Sequence, residues 1–433
     1  MSVIYLIFYI FAGIGMSIEC IKLINEKKLR SLIIGLALIF WIVPDFMMFN
    51  YWGIHISFVF VFAFSYILPA LEAIQLKTLR FYRSEFYYIL FLFLVLIYAL
   101  LTPVLKNPVQ EYYGPKLGEY LYSMIIFIII FCTYMYDATE LIDDYIDLII
   151  LAMLAYAFKN FYMIGFSNFR VSYELKVQDL KNIIFASRTL GFGGILALYR
   201  LVKTKKIIYI IPTLILFGQM VMCESRGTLV AISLALFYVL FGAKRKYKIL
   251  NIRRINLKNV ILVSIMLAAF IYGGKYLYDH GFLQRLQYKL AYFRMGKQED
   301  RNILYADLLT VLKNHFPFGI GFGGTQNALL EVDSVVSYNY PHNLLLEIFL
   351  EEGFLLGIYF TVIMLRTMIS CAKTELHNKN ILWVVLFIYS FVNSMFSGDI
   401  TGNSWLFVLG LLISSFQIKS TYKSGLNMTK VQE

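Results

Sequence analysis

The chain has 433 residues, of which 60% are hydrophobic and 15% charged, with a mean hydropathy of +0.69. A soluble domain carries about 25% charged residues, so water is excluded as the main solvent. The formal charge of +12 would suit a nucleic-acid partner, but the basic residues follow a membrane topology and nucleic acid is not expected.

Apolar runs of about 20 residues recur along the chain, each long enough to cross roughly 30 Å of hydrocarbon as a helix. A closed barrel would need alternating patterns instead. Runs such as 87–101 and 125–132 are apolar on every face, which suits helices that satisfy their own backbone in lipid. The reading is therefore an all-α, polytopic transmembrane protein, a single integral membrane domain over 1–433 with about 12–14 spans.

The first apolar stretch, 3–21, lacks a basic leader and an A-x-A site and reads as a span rather than a removed signal peptide. Further spans are predicted at 32–49, 54–71, 86–105, 118–136, 145–165, 183–201, 207–223, 227–242, 260–278, 343–368, 380–397 and 404–418. Two pairs nearly touch, at Glu224–Gly227 and at Ser397–Ser404, and either is a candidate broken or re-entrant helix. Cys20, Cys132, Cys223 and Cys371 are far apart, with neither disulfide nor zinc spacing.

Most of the 39 lysines and arginines fall on one side of this topology, which places the N-terminus outside and the C-terminus in the cytoplasm. One connection resists: Asp137, Glu140, Asp143 and Asp144 face the cytoplasm without a basic residue. The long connection, 279–341, lies outside. Within it, 300–315 carries Ile303, Leu304, Leu308 and Leu312 as one stripe of an amphipathic helix, expected to lie on the membrane or cap a cavity. Pro317 ends that helix, and GIGFGG follows.

Three residues stand out chemically. Arg226, in CESRGTLVAI between two apolar runs, is a cation that costs about 2.5–3.5 kcal/mol at mid-membrane. It calls for a cavity or an anion, or for the outer interface, where a snorkelling arginine is unremarkable. His342, in YNYPHNLLLEIFLEEG, follows Pro341 and precedes Asn343, both helix-start signals. An imidazole at that boundary can take a proton at neutral pH or serve structure alone. Arg301 opens the amphipathic helix, where a cation opposes the macrodipole, so local stability does not explain it; a headgroup-facing arginine does. Arg188, at the outer mouth of the span 183–201, is a further candidate.

GIGFGG is no dinucleotide fingerprint, because it follows a helix and a proline rather than a strand. Glu347 and Glu351 stack on one helical face and read as polar contacts along a wall, with Glu347 a candidate helper of His342 and Asn343 a supporting residue.

ESRGTLVAI, RNILYADLLTVLKNHFPFGIGFGG and PHNLLLEIFLEEGFLLG, in that order, resemble the bacterial O-antigen polymerase and O-antigen ligase superfamily, strongly over 206–360. The resemblance implies an undecaprenyl-pyrophosphate-linked glycan as donor, a second such glycan as acceptor, and transfer at the extracytoplasmic face of the inner membrane. It implies neither metal nor cofactor, and names a chain-length regulator as a candidate protein partner. By motif position, Arg226 and Arg301 bind pyrophosphate and His342 is the catalytic base. FASRTLGFGG keeps only part of the family's asparagine-rich motif, so the same role for Arg188 rests on less. Polymerisation of repeat units into an O-antigen or capsule is the expected activity. The alternatives are a ligase that moves finished polysaccharide to lipid A core or to protein and, from another class, a polysaccharide flippase, which would carry ionisable residues deep in its spans.

Overall fold

The computed structural model describes residues 2–42, 50–51, 54–55, 83–105, 112–121, 136–165, 183–238, 275, 279, 291, 300–336, 338–373 and 380–414. In chain order the described helices are α1 (Ser2–Asn25), α2 (Leu29–Ile42), α3 (Arg83–Leu105), α4 (112–121), α5 (Tyr136–Ile164), α6 (Ile183–Thr204) and α7 (Ile210–Met222). They continue with α8 (Arg226–Phe237), α9 (Asp300–Asn314), α10 (Thr325–Glu331), α11 (Leu344–Glu351), α12 (Phe354–Lys373), α13 (Asn380–Ser394) and α14 (Ser404–Ser414). The only described strands are β1 (Asn50–Tyr51) and β2 (Ile54–His55), an antiparallel ladder pairing Asn50 with His55. The expected spans at 54–71, 118–136 and 260–278 lie largely or wholly outside the described residues, as does the basic connection before 260.

This is an all-α membrane protein. Among the described residues, Val3–Asn25, Phe86–Leu105 and Phe354–Cys371 are long and apolar enough to cross a bilayer. Each keeps a bare apolar face. Ile4, Ile7, Phe11, Ile14, Ile18 and Ile21 of α1 are all exposed, as are Leu355, Ile358, Val362, Leu365 and Ile369 of α12. At spacings of three and four these form lipid-facing stripes that no soluble surface would tolerate.

The chain divides into two compact units, Met1–Val61 with Leu141–Lys297, and Phe62–Glu140 with Gln298–Glu433. In the first, the acidic stretch without basic neighbours finds its partners in space. Asp144 meets Lys28 at 3.0 Å, Asp143 meets Lys203 at 2.6 Å, and Asp147 takes Arg200 through Nε at 3.0 Å and Nη2 at 2.8 Å. The basic partners come from connections that the charge pattern puts on the same side as the acids. The stretch 137–144 is not the expected loop but the start of α5, where carboxylates favour the positive end of the helix dipole.

The second unit corrects two expectations. The predicted span 343–368 breaks at Glu352 and Gly353, so the spanning helix is α12 and α11 is a separate eight-residue helix ahead of it. Gly353 has φ +88°, and a Cβ there would come within 2.7 Å of Pro317 O. Gly319, at φ +76°, comes equally close to the α11 end. The two segments pack backbone on backbone, with Ile320 N–H donating to Leu350 O at 2.8 Å and Phe354 N–H to Pro317 O at 2.9 Å. Only glycine permits both the left-handed backbone and the approach. The second correction concerns α9. Leu304 and Leu308 of its expected stripe, joined by Val311, face not lipid but Ile320, Ala328, Leu329 and Leu350, while Leu312 is partly buried against the same cluster and lines a cavity with Lys313, Phe316, Phe349 and Phe354. Each buried leucine, isoleucine or valine in that cluster contributes about 1.5–3 kcal/mol.

Candidate active site

His342 lies where the backbone leaves its ordinary path. Its φ of 58° is left-handed, a region that bulky residues rarely occupy and that concentrates at functional positions. The residue is 9% exposed. Tyr338 and Tyr340 set their rings edge-to-face against the imidazole, at 5.0 and 4.4 Å between centroids, and Nδ1 lies 3.4 Å from Ser397 Oγ.

Asn343, the next residue, is the N-cap of α11. Its Oδ1 accepts from Leu346 N–H at 3.0 Å while its Nδ2 donates to Met395 O at 3.2 Å. One side chain thus ends a helix and ties that end to the turn between α13 and α14. The sequence flags that turn, 395–403, as a near-contact of two spans and a candidate broken or re-entrant helix.

Behind α11 sits a buried ion cluster. The Lys116 side chain, fully enclosed, lies 2.6 Å from Glu347 Oε1 and 2.6 Å from Glu351 Oε2, with its ammonium 4.7 Å from the centre of the Phe322 ring. Glu347 and Glu351 do share a helical face, and the cation between them removes their mutual repulsion. Burial disfavours the ammonium, but the two carboxylates outweigh that and hold its pKa well above the usual lysine range. Burial pushes Glu347 upward, with Lys116 opposing. Burial pushes Glu352 upward too, helped by the neighbouring Glu351 charge, and neither of its carboxyl oxygens has a hydrogen-bond partner, so its surroundings favour the neutral acid over the carboxylate.

Glu347 Oε1 also accepts from Ile400 N–H at 3.3 Å. This carboxylate therefore serves both Lys116 and the 395–403 turn, the turn that also carries Ser397 beside the imidazole. The turn closes on Asp399, which accepts from Thr401 Oγ1 at 2.7 Å, Gly402 N–H at 2.8 Å and Tyr112 OH at 3.2 Å.

GIGFGG has no donor to spare for a phosphate. Gly321 donates to Glu351 O, Phe322 to Thr102 Oγ1, Gly323 to the Glu351 carboxylate and Gly324 to Gly321 O. With Ile320 on Leu350 O, every N–H from Ile320 to Gly324 is used within the protein. Among the described residues, no group of three or more His, Cys, Asp or Glu is placed to hold a metal ion.

Arg301 is partly exposed in the first turn of α9. One turn on, Tyr305 packs against the hydrophobic cluster that also carries Tyr338, the residue whose ring meets His342. Arg301 and His342 thus belong to the same unit and are tied to the same cluster. Arg226 and Arg188 belong to the other. Arg226 is exposed at the first position of α8, beyond a break in which Glu224 has φ 52° and Ser225 Oγ lies 3.0 Å from Thr228 Oγ1. That break is the interrupted helix suspected at Glu224–Gly227. Arg188 is half-buried on α6, its guanidinium 5.3 Å from the centre of the Phe185 ring.

Lys116 and the place of Ser397 beside His342 have no counterpart among the residues singled out from the sequence. Lys116 shares a short connection with Lys106, and nothing local marks it as buried.

Residues 211–361 match the O-antigen ligase family model. A stretch of 221 residues, 48% of the chain, is 27% identical to the ComP-specific O-oligosaccharyltransferase of Acinetobacter baylyi and covers 38% of that relative's length. Through the segment that contains Arg226, Arg301 and His342, the chain is thus similar to the O-antigen polymerase and O-antigen ligase superfamily, as its three ordered motifs indicate.

Proposed function

We propose that this protein transfers a glycan from an undecaprenyl-pyrophosphate donor to a hydroxyl of an acceptor at the extracytoplasmic face of the inner membrane, with polymerisation of repeat units as the first reading. The observation that carries the proposal is His342. It is an imidazole enclosed by two tyrosine rings, on a left-handed backbone, within the segment that matches the O-antigen ligase model.

In the reaction, the acceptor hydroxyl gives its proton to the His342 imidazole as its oxygen attacks the anomeric carbon. The bond from that carbon to pyrophosphate breaks, the oxygen of the leaving group takes the electron pair, and the configuration inverts. Negative charge grows on the pyrophosphate, and Arg301 and Arg226 are assigned to stabilise it, Arg226 on the strength of its motif. A guanidinium offers the planar, bidentate donors that two phosphoryl groups accept best. Arg188 is a weaker third candidate for that role. A chain-length regulator is a candidate partner.

The second reading, a ligase or protein-directed oligosaccharyltransferase, is favoured by the names of the two matches. Purified protein supplied with lipid-linked oligosaccharide alone separates the readings. Longer lipid-linked chains mean polymerase. Product only after addition of lipid A core or an acceptor protein means ligase, and unaltered lipid moved across the bilayer means flippase. In the same assay His342→Gln is expected to lose about 10²–10⁴ in rate; full product with that variant rules out the base.

A further inference from the structure

We propose that Ser397 is the positioning residue of His342: its hydroxyl accepts the Nδ1–H and leaves the Nε2 lone pair toward the incoming acceptor. This rests on the reading of His342 as the base. A neutral imidazole carries one N–H and one lone pair, and the hydrogen bond at one nitrogen decides which is which. Here Nδ1 faces Ser397 Oγ at 3.4 Å. With His342 as the base the hydroxyl must be the acceptor, because the reverse bond would put the proton on Nε2 and leave no base.

Ser397 is 2% exposed and is held from both sides of its backbone. Its N–H donates to Asn393 O at 3.2 Å, and its carbonyl accepts from Asn403 Nδ2 at 3.3 Å. The turn it belongs to is then fastened to the helix that His342 precedes, twice and independently. Asn343 Nδ2 reaches Met395 O, and Glu347 Oε1 takes Ile400 N–H. Lys116, locked onto Glu347, anchors the second fastening. Tyr338 and Tyr340 limit rotation of the ring from other directions. The serine and the histidine are 55 residues apart in the chain, and only the turn brings them together.

When the acceptor proton arrives on Nε2 the imidazole becomes a cation, and the Nδ1–H bond to Ser397 strengthens with that charge. The proton later leaves Nε2 for water, and the Nδ1–H stays on its serine throughout. Ser397 therefore favours the imidazolium.

The test is steady-state glycan transfer by purified Ser397→Ala, Ser397→Thr and His342→Gln proteins, with kcat followed against pH and a melting temperature for each. Ser397→Ala is expected to lower kcat about two- to tenfold, the range of one hydrogen bond's net worth converted to rate. KM should hold, and the acid limb of the profile should move to lower pH; Ser397→Thr should restore both. Wild-type kcat and profile in Ser397→Ala, with His342→Gln inactive, overturn this assignment and leave the base reading standing. A kcat loss that tracks a lower melting temperature, with the acid limb unmoved, also overturns it, because that is a structural role. An active His342→Gln removes the base and the inference together. Should Ser397→Ala not fold, Ser397→Cys, close in size but a poor acceptor, is expected to show the same acid-limb shift, and an unmoved limb there overturns the proposal.

Discussion

Lys116→Met is the sharpest perturbation the second unit offers. Methionine keeps the length and volume of the side chain but removes the ammonium that lies 2.6 Å from both Glu347 and Glu351. All three side chains are fully enclosed, so no solvent screening discounts the pairing. Breaking a buried pair by deleting one partner costs about 3–5 kcal/mol, because the other partner is left as an uncompensated charge. Here two carboxylates lose the same cation. Glu351 keeps hydrogen bonds from Gly323 N–H and Thr325 Oγ1, whereas Glu347 keeps only Ile400 N–H, so Glu347 bears most of the loss. A cost in that range lowers the melting temperature by roughly 6–20 °C for a unit of this size. The assay is thermal unfolding of purified protein in lipid nanodiscs, with Glu347→Gln and the Lys116→Met, Glu347→Gln double variant beside it. The double variant should be more stable than Lys116→Met alone, since neutralising the orphaned carboxylate removes its penalty. A Lys116→Met protein melting within about 1 °C of wild type would refute the buried-pair reasoning.

Three other outcomes follow from the same geometry. Glu352→Gln should raise stability at pH 8 and leave it little changed near pH 4. The folded pKa of Glu352 is raised, so its contribution is fully present below the unfolded value of about 4.3 and is lost as pH rises; each unit up to the folded pKa costs ~1.4 kcal/mol. A melting profile of Glu352→Gln parallel to wild type from pH 4 to 8 would contradict that. Gly353→Ala places a Cβ 2.7 Å from Pro317 O on a left-handed backbone and should cost about 1–3 kcal/mol, read as a lower melting temperature. Arg301→Lys and Arg226→Lys keep charge but lose the bidentate fork; each should lower transfer well below wild type with normal membrane expression, and full activity would count against pyrophosphate recognition by that arginine.

Much of this protein was legible along the chain. The all-α membrane class came from the length and uniformity of apolar runs, because the bilayer imposes a thickness that composition alone can meet. The break before Arg226 was marked by two predicted spans that nearly touch. Asn343 announced a helix start, and it is the N-cap. These are local properties, governed by residues within one or two turns of each other.

The tertiary structure decided what depends on residues distant in sequence. Nothing near Lys116 says that its ammonium is buried between two glutamates 231 and 235 residues away, and the acids of α5 looked unpaired until Lys28, Arg200 and Lys203 came beside them. The amphipathic stripe of α9 was visible as a stripe, but periodicity cannot tell a face that meets lipid from one that meets protein. The span over 343–368 read as continuous because apolar residues run through it; Gly353 permits the break, but the backbone of 317–321 that packs there lies outside the span. Sequence determined the solvent, the helices and the motifs; the placement of charge against charge and backbone against backbone was decided only when the chain folded, since those energies arise from proximity in space.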